Sequence, residues 1–146
     1  MKTRYRMEKG VIFQRREEDE QKYVTERSLR LAKPIASVIV RANMRRIQDH
    51  FVKYAMRKYR CKRSAVTFDD RGALRRLRYA VLGEDEDGIY GHTDGKTILI
   101  NSAYEMGFSD IVPTLVHECL HDFCIVRGKK MGCDREHVCM RGLGEE

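Results

Sequence analysis

A chain of 146 residues with 42% apolar and 35% charged residues is long enough for one domain with a core of its own. No run approaches the length of a membrane-spanning helix, and Val11-Ile-Phe13, the only early apolar run, is too short for a secretory signal, so the expectation is an intracellular (cytosolic or nuclear) protein with no membrane partner. The net charge of +7 is unevenly spread: residues 1–81 hold 23 Lys/Arg against 9 Asp/Glu, whereas residues 82–146 hold 6 against 13, an asymmetry that points to a polyanionic partner for the N-terminal half.

Residues 1–16 are basic and interrupted by Gly10, and are expected to be flexible; residues 17–63 read as basic and helical. A charged pattern with Tyr23, Val24, Leu29 and Leu31 predicts a helix from about Arg16 to Lys33, ended near Pro34. A second helix is predicted from about Ile35 to Tyr59, with Val40, Met44, Ile47, Phe51 and Tyr54 on its core face at three/four spacing. Arg41, Arg45, Lys53, Arg57 and Arg60 form a separate basic stripe, joined by Lys62 and Arg63, with Phe51, Tyr54 and Tyr59 interleaved. Cations with neighbouring aromatics suit nucleic acid, single strands in particular. A solvated helical surface is the plainer explanation of the same charges.

Ala65-Val-Thr-Phe68 reads as a short strand. Arg75 to Leu82 fits helix or strand equally and adds Arg75, Arg76 and Arg78 to the basic count, while Glu84 to Asp87 reads as an acidic loop. Ile89-Tyr90 and Thr97–Ile100 read as two strands joined around Asp94-Gly95, a hairpin signal. The second of these is expected to offer a sheet edge on which an extended substrate binds through its backbone.

The most informative run follows: Thr114-Leu-Val-His-Glu-Cys-Leu-His121. The apolar residues Ile111, Val112, Leu115, Val116, Cys119, Leu120, Phe123 and Val126 predict one helix with Ser109 or Asp110 at its start, Pro113 in its first turn and Gly128 as its stop. Four helical residues turn the chain by about 400°, so His117 and His121 project from one face and can close on one metal ion, with Glu118 beside them to act on a water. A carboxylate buried there without a metal or a partner would be costly. Arg127 occupies the place where one zincin class has its third histidine. The candidates for a third ligand are Asp134, Glu136, His137 and, less favoured, Cys133; His137, the only histidine after the motif, is the choice. Tyr104, Arg127 and Arg135 are unranked candidates for a second donor to the substrate carbonyl. The cysteines 61, 119, 124, 133 and 139 are odd in number and contain no Cys-x-x-Cys pair, which fits reduced thiols.

These residues resemble the SprT-like, or Spartan-type, zinc metalloproteases. The resemblance rests on Gly91–Asn101, on Thr114–His121 and on Asp134-Arg-Glu-His137, within roughly residues 88–138. It implies an α+β, zincin-like fold with N-terminal helices and a small antiparallel sheet packed on the motif helix. It also implies one catalytic Zn²⁺ on His117, His121 and His137, Glu118 as catalytic acid/base, and protein substrates bound or crosslinked to DNA. After His137 the chain reads Val-Cys-Met-Arg-Gly where the family has a glycine and an aromatic, and no zinc ribbon stands in the nine residues that follow, so a single minimal domain is expected. The alternative is a non-proteolytic nucleic-acid-binding module whose zinc is structural or vestigial. Separately, Cys124, Cys133 and Cys139 with His137 offer a weak structural-zinc signal, since none forms a Cys-x-x-Cys pair. A metal-dependent nuclease is a third reading, disfavoured by a glutamate next to the first histidine.

Overall fold

The computed structural model describes residues 23–84 and 89–143. The expected flexible segment 1–16, the first turns of the first predicted helix and most of the acidic loop lie outside the described residues.

Helix α1 (Glu26–Ala42) starts at a reciprocal cap: the Ser28 N–H donates to Thr25 Oγ1 at 3.0 Å and the Thr25 N–H to Ser28 Oγ at 2.8 Å. It buries Leu29, Ala32, Ala36 and Val40, and this small-residue face packs closely on the motif helix. Pro34 does not end it. Pro34 lies within the helix, where it withholds one bond from the Arg30 carbonyl, and both residues are exposed, so water can take that bond. The break comes at Asn43, whose side-chain amide donates to the Ile39 carbonyl at 2.8 Å. Helix α2 (Met44–Tyr59) follows at once and buries Ile47, Phe51 and Ala55; Met44 and Tyr54 pack partly buried against the same core.

Strand β1 (Val66–Phe68) precedes helix α3 (Asp70–Arg78), capped by Asp69, which accepts the Gly72 N–H at 2.9 Å. The stretch that fitted helix or strand is therefore both in turn, since β2 (Val81–Gly83) follows. Strands β3 (Gly91–Thr93) and β4 (Ile98–Asn101) form the hairpin, with Asp94 Oδ1 accepting the Lys96 and Thr97 N–H groups and Gly95 at φ 93°. The first hairpin strand thus begins two residues later than expected.

The sheet order is β2-β4-β3, with β2 parallel and β3 antiparallel to β4. The sheet against the motif helix is therefore mixed rather than antiparallel. Strand β4, expected at an edge, is its middle strand, bonded on both sides; β2 and β3 are the edge strands among those described.

Helix α4 (Phe108–Cys119) carries the motif and contacts β3 and β4. It stops well short of Gly128, because Cys124–Val126 pairs with β1 as strand β5. Arg127 (φ 52°) and Gly128 (φ 81°) form a two-residue hairpin loop to β6 (Lys129–Lys130). Two successive positive φ values match the twist of tight hairpins, so Gly128 serves a turn rather than a helix end. Helix α5 (Cys133–Leu143) closes the described chain. The architecture is α+β: five helices and two three-stranded sheets among the described residues. Phe51, Phe68 and Phe123 meet at its centre, the ring centroids of Phe123 standing 5.4 Å from Phe51 and 5.1 Å from Phe68. No described helix is long and apolar enough to cross a membrane.

Candidate metal centre

Helix α4 divides its residues between two faces. Ile111, Leu115 and Cys119 enter the core, while Thr114, His117 and Glu118 line a cleft of about 770 Å³ between α4, β3 and α5. Neither Ser109 nor Asp110 is the N-cap. Gly107 is, and the Asp110 carboxylate accepts its N–H at 3.1 Å. Pro113 lies one turn deeper than expected, on the exposed rim of the cleft.

His117 projects from the last turn of α4, but His121 stands beyond the helix end, past the cap residue Leu120. His137 comes from α5. The fold brings one ring nitrogen of each within 4.8 Å of the others. His117 and His137 stack at 5.1 Å between centroids, and His121 stands edge-on to both.

The Nε2 atoms of His117 and His121 are 3.3 Å apart. Nitrogens on a tetrahedral zinc with bonds of about 2.0–2.1 Å would stand about 3.3–3.4 Å apart. The three-histidine donor set and the spacing of this pair are therefore compatible with a bound metal ion.

Electrostatics keep the lone pairs of His117 and His137 available. Burial, reinforced by repulsion from His121 and His137, lowers His117 to about 4. Burial and the nearby His121 likewise lower His137. For His121 burial acts downward, but the bond to Glu136 and the surrounding acidic groups outweigh it and the net shift is upward. His121 Nδ1 lies 2.8 Å from Glu136 Oε1, and Glu136 Oε2 accepts the Asp122 N–H at 2.7 Å. A carboxylate accepting from Nδ1 places the ring hydrogen there and leaves Nε2 free to ligate. Glu136, weighed as a ligand, is instead the support of one. Its place on the buried side of α5 with Cys139, Met140 and Leu143, at three, four and seven residues, is a signal the sequence carried.

Glu118 is 8% exposed, and burial pushes its carboxyl up to about 7 against a smaller opposing pull from His121. It lines the cleft beside the histidines. Of the three candidate second donors only Tyr104 lines the cleft, with its ring 4.9 Å from that of Tyr90. Arg127 donates to the Tyr59 and Arg60 carbonyls, and Arg135 lies over the Tyr59 ring; neither lines the cleft. Asp134 is exposed and outside the cleft lining. Cys124 and Cys139 are buried, and only Cys133 approaches His137, its Sγ 3.7 Å from Nδ1 and 3.8 Å from Nε2.

Arg41, Arg45, Lys53, Arg57, Arg60, Lys62 and Arg63 are all exposed, and none lines the cleft. On α2 the exposed Asp49 sits one turn from both Arg45 and Lys53 and interrupts the stripe. Arg63 donates to the Val66 carbonyl and covers the Phe68 ring. The interleaved aromatics do not form an exposed stacking platform. Phe51 is fully buried, Tyr54 is half-buried, and Tyr59 is half-buried with its hydroxyl donating to the Met131 carbonyl. Arg76, counted with the surface cations, is buried.

Compared with known proteins, the chain matches no family model, no curated protein and no solved structure.

Proposed function

We propose that the protein is a zinc-dependent endopeptidase of the SprT-like kind, acting on proteins bound or crosslinked to DNA. The observation that carries the peptidase reading is Glu118: a buried carboxyl in the same cleft as the three histidines, placed to take a proton and return it. His117, His121 and His137 would hold the metal. Zinc, when bound there, would supply Lewis acidity and lower the pKa of a water. The Glu118 carboxylate takes a proton from the attacking water and delivers it to the leaving amine nitrogen. Tyr104 lines the same cleft and offers a hydroxyl. An extended chain could add to β3, the edge that borders the cleft, and binding through the backbone favours low sequence selectivity. The exposed cations of α1, α2 and the following loop lie away from the chemistry, which supports DNA as the element that localises the enzyme rather than as what it cuts.

Zinc-loaded wild type and Glu118→Gln, incubated with an unfolded protein with and without DNA, test this. Wild type should cleave, faster with DNA. The variant should bind the same amount of zinc and lose at least ~100-fold in rate. Cleavage by the variant at the wild-type rate would refute the assignment.

One observation favours the alternative, a nucleic-acid-binding module with a structural zinc. The Cys133 thiol borders the cleft beside His137 and offers a fourth donor. Cobalt(II) loading separates the two readings, because a thiolate-to-metal charge-transfer band that vanishes in Cys133→Ser would mark a closed site.

A further inference from the structure

We infer that Arg76 is a positioning residue for the histidine cluster, setting where His121 stands relative to His117. This rests on the histidines holding a metal, but not on the peptidase activity. In an unbroken α-helix the His121 N–H would bond to the His117 carbonyl and fix the two ligands one turn apart. Here the helix has already ended. The Leu120 N–H reaches the His117 carbonyl and the His121 N–H reaches Glu118, both at 3.3 Å, and Asp122 then turns left-handed at φ 63°. Such three-residue turns have poorer bond geometry than the helix, so they define the second ligand's place weakly.

Arg76 supplies what the turn lacks. From the buried side of α3, between Ala73 and Leu77, its Nη2 donates to the Cys119 carbonyl and to the His121 carbonyl, each at 2.8 Å. One guanidinium nitrogen thus joins the last helical residue to the ligand beyond it. The side chain is 2% exposed, and no carboxylate among the described residues forms an ion pair with it. Its charge is instead met by carbonyls at the negative end of α4, where a cation is favoured. Glu136 holds the His121 ring, and Arg76 holds its backbone.

The test uses the full chain with Arg76→Lys and Arg76→Met, measuring thermal unfolding without metal, zinc affinity by competition with a chromophoric chelator, and the visible spectrum of the cobalt(II) form. Arg76→Met should bind zinc about 10- to 100-fold more weakly, the range seen when outer support of a ligand is lost, with altered cobalt bands. Arg76→Lys keeps the charge and a nitrogen with three donors but on a shorter side chain, and should recover part of the affinity; it carries the test if the Met variant does not fold. Variants that unfold more readily yet bind zinc with wild-type affinity and an unchanged cobalt spectrum would overturn the inference, leaving Arg76 a role in folding alone. A wild-type protein that binds no zinc would overturn the metal reading first, and this inference with it.

Discussion

Glu136 holds His121 from another helix, with Oε1 2.8 Å from Nδ1, while its second oxygen secures the neighbouring Asp122 N–H at 2.7 Å. One buried carboxylate therefore orients the ring of a residue that has left its helix and holds the backbone of the residue after it. Glu136→Ala should weaken zinc binding about 10- to 100-fold, read by chelator competition. Unchanged affinity would mean that packing alone aims the ring.

Burial raises the Glu118 carboxyl from 4.5 to about 7 in the metal-free protein. A raised carboxyl favours the folded state while protonated, so its contribution is complete below pH 4.5 and is lost as the pH rises through 7. At about 1.4 kcal/mol per pKa unit, the swing is at most about 3 kcal/mol. Glu118→Gln cannot ionise, and the neighbouring histidines titrate in both proteins. The stability of wild type relative to this variant, from urea unfolding, should therefore fall between pH 4.5 and 7.5. A flat difference would show that the carboxyl is not raised.

Burial pushes the thiols of Cys119, Cys124 and Cys139 up to about 12, so almost no thiolate forms at them near pH 8. Cys133 is exposed and Cys61 half-buried. Iodoacetamide followed by mass spectrometry should label Cys133 first and Cys61 next, and the other three only after unfolding. In the open site proposed above, zinc leaves Cys133 reactive; protection by zinc would instead mark it as a ligand.

Pro34 sits inside α1 on its exposed side. Pro34→Ala restores a donor for the Arg30 carbonyl and should raise unfolding stability by about 1 kcal/mol, a gain limited by the looser unfolded chain. A loss measured in urea would mean that α1 needs the proline to follow the core.

Local spacing carried much of this molecule. The three/four repeat of Val40, Met44, Ile47, Phe51 and Tyr54 marked a core-facing surface, and Asp94-Gly95 marked a hairpin, because both depend on backbone geometry within a few residues. The histidine spacing likewise paired His117 with His121, and His137 was the only histidine after them; the fold brings the three together. The end of α4 was not legible, because Cys124-Ile-Val126 suits a helix face or a strand until β1, far back in the chain, pairs with it. Nor could β4 be placed inside its sheet without knowing that β2 and β3 both bond to it. Arg76 read as one more surface cation, and Glu136 as one more possible ligand. Composition states which charges a chain contains; only tertiary packing decides which are buried, and buried charges must be met by the carbonyls and ring nitrogens that the fold sets beside them.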